Sequence, residues 1–227
     1  MPERVQEEVR QAEELGRTDV VLITNGIHYQ QIRAACERIP KVKGRILFVG
    51  RLEPMKGLDT LLDAFARLHQ GDSKPTLRIV GEGSLRDSLW ARVQELSLSG
   101  YVEFAGYIPS PALYEEFAAA EIFCGLSRSE ALGNVFMEAQ AAECAVLGTN
   151  IGGIPDIVKS GETGILISPN DPATTTEQLR MLLRDGSLRN DLARRAKESA
   201  AKYDWKGIVG RYEEVYMRFL TDKNKVV

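Results

Sequence analysis

Arg45-Ile46-Leu47-Phe48-Val49-Gly50-Arg51-Leu52-Glu53-Pro54-Met55-Lys56-Gly57 runs from an unbroken apolar stretch into a turn and then into a segment with helical spacing. Hydrophobicity that is continuous rather than alternating marks a strand buried on both faces, which requires a parallel sheet covered by helices. The unit recurs at Val20 to Thr24, Leu77 to Val80, Tyr101 to Phe104, Glu121 to Cys124, Ala145 to Gly148 and Gly164 to Ile167. The fold class that follows is α/β, a parallel sheet flanked by helices. Such a sheet presents its ligand site at the carboxyl ends of its strands.

Helix starts are marked by caps. Ser84 with Asp87 reads as a capping-box variant, Ser110-Pro111 and Asp171-Pro172 each place a cap before a proline, and Asn134 can cap Val135 onward. From Asp171 to Leu220 the strand signal ends, and three helices are expected, broken near Asp185-Gly186 and Tyr203-Asp204-Trp205. Residues 1–18 read as a charged helical lead-in and residues 25–44 as a link between the first two strands.

Composition narrows the function. A chain of 227 residues that is 44% hydrophobic and 27% charged is a folded globular chain, not a disordered one. Its net charge of -3 lacks the basic surplus that binds a phosphate backbone, so no nucleic-acid partner is expected. Cys36, Cys124 and Cys144 are widely spaced and only two histidines are present, which gives neither a disulfide framework nor a zinc site. No metal is expected. The first residues lack the apolar core of a signal peptide and no stretch approaches the ~18 apolar residues of a membrane span. A cytoplasmic location is expected.

Three strand ends carry unusual residues. In the first, Lys56 falls at the positive end of a helix, where a cation is unfavourable by a few tenths to about 1 kcal/mol unless an anion offsets it. Arg51 and Lys56 could grip a diphosphate from two sides, or both could be solvated surface charges. In the second, Gly81-Glu82-Gly83 permits close approach of a ligand to backbone, or is only a tight turn. In the third, Glu130 lies in a small-residue loop, Leu132-Gly133-Asn134-Val135 opens a helix whose first amides suit an anion, and Glu138 lies about one turn further on. Paired carboxylates accept sugar hydroxyls or serve a glycosidase. Beside phosphate-binding features they point to a phosphorylated sugar. His28 reads as a turn residue and His69 as solvated; Trp90, Phe65, Phe117 and Phe136 read as core.

These stretches, in this order, resemble the donor-binding C-terminal domain of retaining family 4 glycosyltransferases, which have the two-domain GT-B architecture. The resemblance runs from about Val20 to Leu220. Its most specific part is the pair Glu130 and Glu138, seven residues between them, followed by Gly152-Gly153-Ile154-Pro155-Asp156. Asn25-Gly26-Ile27, Gly50-Arg51, Met55-Lys56-Gly57, Gly81-Glu82-Gly83 and Tyr203-Asp204-Trp205 match as well. The resemblance implies a Rossmann-like domain, one half of a GT-B fold, with residues 1–18 as the tail of an absent acceptor domain and residues 19–227 as the donor domain. The donor implied is a UDP-, GDP- or ADP-hexose, bound without a metal. Arg51 and Lys56 would neutralise the diphosphate, Glu130 would hold the transferred sugar, and Glu138 the ribose. Gly50, Gly81 and Glu82 would also bind the donor, the backbone around Gly106-Tyr107-Ile108 would read the base, and the amides of Leu132 to Val135 would support phosphate and sugar.

The sequence departs from that family at Cys124-Gly125-Leu126-Ser127, where a Pro-Ser pair is common, at Asp156, where glutamate is common, and in one further stretch. Ala142-Glu143-Cys144-Ala145-Val146 stands where Cys-Gly-x-Pro-Val is usual, so a differently shaped turn is expected. Length is the larger difference, since the second domain holds the acceptor. A sugar, lipid or glycan acceptor is expected on an N-terminal domain or separate subunit, with little transfer by this chain alone. Peripheral membrane contact would belong to that other domain. The competing expectation is a noncatalytic nucleotide-sugar-binding subunit; an epimerase or phosphorylase of similar architecture fits less well.

Overall fold

The structure, a computed structural model, describes residues 10–11, 14–16, 20–69 and 74–223. Most of the lead-in 1–18 lies outside the described residues. The elements in order are α1 (Tyr29–Arg38), β1 (Val42–Val49), a 3-10 turn (Pro54–Lys56), α2 (Leu58–Leu68), β2 (Thr76–Val80), α3 (Arg86–Glu95), β3 (Val102–Gly106), α4 (Ala112–Ala119), β4 (Ala120–Gly125), α5 (Asn134–Ala141), β5 (Ala145–Thr149), α6 (Ile154–Ile157), β6 (Ile165–Ile167), α7 (Pro172–Arg184), α8 (Gly186–Ala200) and α9 (Trp205–Lys223).

The strands form a six-stranded sheet in the order β3-β2-β1-β4-β5-β6, with every pairing parallel. The chain runs outward from β1 to one edge, then returns beside β1 and runs to the other. Between β1 and β4 the crossovers therefore diverge and leave a crevice at the carboxyl end. Alternate residues of β1 feed two cores. Leu47 and Val49 pack with α1, α4 and α5 on one face, while Ile46 and Phe48 pack with α2, α3 and α7 on the other. Burial on both faces is why these strands read as continuous apolar runs.

Six of the seven expected strands are present; Val20 to Thr24 forms none. Val20, Val21 and Leu22 are 41%, 50% and 47% exposed, so β-branched composition there meets no partner strand among the described residues. The expected link 25–44 contains α1, whose buried residues are only Ile32 and Ala35, too few for a clear helical stripe. Asp171 caps α7 by accepting from the Thr174 amide at 2.9 Å, and the three late helices break where expected. Ser84 does not cap α3. Its hydroxyl and amide are both donated to Glu53, at 2.8 and 3.1 Å, and this holds the Glu53 carboxyl below its usual range. Asn134 is the first helical residue, with Gly133 as the cap, and Pro111 occupies the cap position of α4.

Phe65, Phe117 and Phe136 are core as expected, whereas Trp90 is 39% exposed against the edge of Phe104. His69 is partly buried, not solvated, and lies between the rings of Phe65 and Tyr101 at 4.5 and 4.4 Å. All three cysteines are free thiols. Glu143 sits at the glycine position of the departing stretch, with a left-handed φ of +59°. Its carboxylate meets Lys197 at 3.0 Å and Arg33 at 3.3 Å, contacts that offset the backbone cost of about 1 kcal/mol.

Candidate donor site

Two clusters lie at the carboxyl ends of the strands. The first is a cleft of about 330 Å³ between the ends of β1, β2 and β3, walled by Gly50, Arg51, Gly81, Glu82, Tyr107 and Ile108 among others. It is narrow-backed because Gly81, at φ +131°, lies directly on the Gly50 carbonyl; a side-chain carbon there would stand 1.9 Å from that oxygen. Val49, Val80 and Leu113 make the floor apolar, which suits a flat ring, while Tyr107 is 73% exposed at the rim. Gly50, Gly81, Glu82, Tyr107 and Ile108 are brought together here, and Arg51, expected at the diphosphate with Lys56, lines the same cleft.

The second cluster joins β1 and β4. Lys56, at the end of the 3-10 turn, places Nζ 2.5 Å from Glu130 Oε2, and the two side chains are only 17% and 13% exposed. Ser127 donates its hydroxyl to the same carboxylate oxygen at 3.2 Å. The sequence assigned Lys56 to phosphate and Glu130 to sugar; the structure couples them to each other. The loop behind Glu130 is pressed into place from β5. The Gly153 amide donates to the Glu130 carbonyl at 3.1 Å, and a Cβ on Gly152, where φ is +54°, would meet that same carbonyl at 1.9 Å. Gly152→Ala is expected to lower stability by about 2 kcal/mol, seen as a reduced urea midpoint with unchanged slope.

Gly133 adopts φ +80° and starts α5, with Leu132 and Val135 partly buried beside it and Asn134 exposed. The Asn134 amide oxygen accepts from Asn25 at 3.4 Å. Glu138 stands in α5 among buried neighbours, half-buried, and burial pushes its carboxyl up to about 7. That carboxylate is absent from the cleft wall, so the structure does not itself join it to the ring pocket.

Sequence reasoning missed Arg128. Its amide donates to the Met55 carbonyl at 2.7 Å, and its guanidinium reaches Pro54, Asp59, Thr60 and Asn170. These partners lie 42 to 74 residues away, beyond any local spacing signal. A further cleft of about 280 Å³ lies at the amino ends of the strands. Its cations are already occupied, Lys41 by the Ala120 and Ala142 carbonyls at 2.7 and 2.8 Å and Arg33 by Glu143. No group of His, Cys, Asp and Glu among the described residues could hold a metal. No helix among them is long and apolar enough to cross a membrane.

A doubly wound parallel sheet flanked by helices, with a cleft and a shielded Lys56–Glu130 pair at its carboxyl end, defines a Rossmann-like domain. The chain belongs to the Glycosyl transferases group 1 family, whose profile matches residues 30–199. It is 30% identical over 210 residues to a D-inositol 3-phosphate glycosyltransferase of Corynebacterium efficiens, covering 89% of this chain and 50% of that protein. The C-terminal domain of the group 1 glycosyl transferase LpcC from Francisella tularensis superimposes with a TM-score of 0.65 at 27% identity, covering 79% of this chain and 94% of that one. Anabaena HepE, solved in complex with UDP, superimposes with a TM-score of 0.80 at 22% identity over 94% of this chain and 61% of that one. The chain spans about half the length of the curated relatives it matches.

Proposed function

We propose that this chain is the donor-binding domain of a retaining, family 4 type hexosyltransferase that uses a nucleotide-diphospho-sugar without a metal. The observation that carries this is the shielded Lys56–Glu130 pair beside the ring cleft, a cation and a hydroxyl acceptor at the β1–β4 switch point. In this reading the base rests in the cleft near Tyr107 and Ile108, Glu138 accepts the ribose hydroxyls, and Arg51 and Lys56 hold the diphosphate. Leu132 to Val135 line the phosphate and sugar side, and Glu130 holds the hexose. The bond from the anomeric carbon to the phosphate oxygen breaks as the acceptor oxygen attacks the same face. The acceptor proton passes to the departing phosphate, whose charge Arg51 and Lys56 stabilise.

The acceptor, a sugar, lipid or glycan, belongs to an N-terminal domain or a separate subunit in this reading. Residues 1–18 lead from that domain, residues 19–227 act as the donor half, and the whole works in the cytoplasm with peripheral membrane contact through its other half. Calorimetric titration with UDP, GDP and ADP tests the donor site. One diphosphate is expected to bind, and Arg51→Ala to weaken it by about 1.5 kcal/mol, roughly tenfold. Binding that ignores Arg51→Ala, or no binding of any of the three, would sink the assignment.

A further inference from the structure

We infer that Arg128 is a positioning residue for the diphosphate cradle, clamping the turn that carries Arg51 and Lys56 against the loop that carries Glu130. The inference rests on the donor-site reading above and adds a residue that does not itself need to touch the ligand. Five acceptors surround its guanidinium. Nη2 donates to both Asp59 oxygens at 2.8 and 2.7 Å and to Thr60 Oγ1 at 3.3 Å, Nε donates to Asn170 Oδ1 at 2.5 Å, and Nη1 donates to the Pro54 carbonyl. Its backbone amide adds the bond to Met55.

These acceptors belong to three separate stretches: the 3-10 turn, the start of α2, and the loop before α7. They lie in the two crossovers that follow β1 and β6 at the carboxyl end of the sheet. Arg128 lies two residues before Glu130, and Met55 and Pro54 lie immediately before Lys56. The register between the Lys56 backbone and the Glu130 backbone is therefore set by Arg128. Lysine has a long flexible stem, so where its ammonium can reach depends on where its turn is held. An ordinary surface ion pair would engage one carboxylate and leave the remaining donors to water; here the planar fork is used on every edge, an arrangement a lysine could not reproduce.

The base pocket is lined by Val49 to Arg51, Val80 to Glu82, Tyr107, Ile108 and Leu113, and Arg128 bonds none of them. Positioning and general destabilisation consequently have different signatures. The test compares affinities of the 227-residue chain for UDP with uridine, GDP with guanosine and ADP with adenosine, by ligand-observed NMR and calorimetry, in the wild type, Arg128→Ala, Asp59→Asn and the double variant. For the base that binds, Arg128→Ala is expected to cut the diphosphate-over-nucleoside preference about tenfold while nucleoside affinity holds. Asp59→Asn should reduce the same preference by a smaller factor, and the double variant should fall short of the product of the two, because both changes loosen one clamp. Asp59 is exposed at the start of α2, so its variant keeps the test open if Arg128→Ala does not fold. An unchanged preference in both single variants, or equal losses for nucleoside and diphosphate, overturns the inference and leaves the donor site standing. A wild-type chain that binds nucleoside and diphosphate alike overturns the donor site and this inference together.

Discussion

Lys56→Ala is expected to weaken nucleoside-diphosphate binding by about 100-fold, close to 3 kcal/mol, while Glu130→Gln strengthens it several-fold. The opposite signs follow from the 2.5 Å pairing of the two groups. In the unliganded chain the Lys56 ammonium is already neutralised, so a diphosphate has to share it with Glu130. Removing Lys56 deletes the cation and leaves Glu130, 13% exposed, with Ser127 as its remaining hydrogen-bond donor. A partly buried carboxylate stripped of its partner is costly, and the variant should also melt earlier than the wild type. Glu130→Gln keeps the shape and releases the ammonium for phosphate. It also blunts the acceptor for the sugar, so a nucleotide sugar should lose its advantage over the bare diphosphate. Calorimetry with the diphosphate and with the intact donor reads both effects. Equal weakening by the two substitutions would mean that the pair is a structural staple with no ligand role.

The parallel sheet was legible because residues such as Ile46 to Val49 and Ala145 to Leu147 are buried on both faces and leave an unbroken apolar run. Val20 to Thr24 has the same composition and forms no strand: composition records a propensity, whereas pairing depends on what lies alongside. Helix α1 was hidden by the opposite fault, a mostly polar surface with two buried residues. The charged members of the site were legible by type and strand-end position. Their coupling was not, since Lys56 and Glu130 are 74 residues apart and a spacing argument assigns each its own ligand group. Arg128 carries no motif at all; its importance comes from five acceptors that only the folded crossovers assemble. Ser84 shows how a local signal loses. Its cap pattern was plausible, but a carboxylate from the neighbouring turn offered both of its donors a partner.

Glu138→Gln is expected to stabilise the unliganded chain above neutral pH and to do nothing for it in acid. Burial raises the Glu138 carboxyl from the usual 4.5 to about 7, so the folded chain holds a proton there that the unfolded chain has released. Stability must then fall as pH rises from about 4.5 to about 7, by at most ~3 kcal/mol in total, and stay level beyond. Glutamine carries no charge to desolvate, and the gap between variant and wild type should open across that same window. Urea midpoints at pH 4.5, 6 and 8 follow it; a constant gap would show that the carboxyl titrates normally in the fold. In the proposed donor site, binding offsets that cost. Ribose hydroxyls donating to the ionised carboxylate replace lost water and lower its pKa, so donor binding near pH 6 should release a proton, which is measured as a buffer-dependent heat. The glutamine variant should release none and bind the nucleotide more weakly. The same side chain then weakens the empty domain and strengthens the loaded one, and its two effects separate cleanly between a melting curve and a titration.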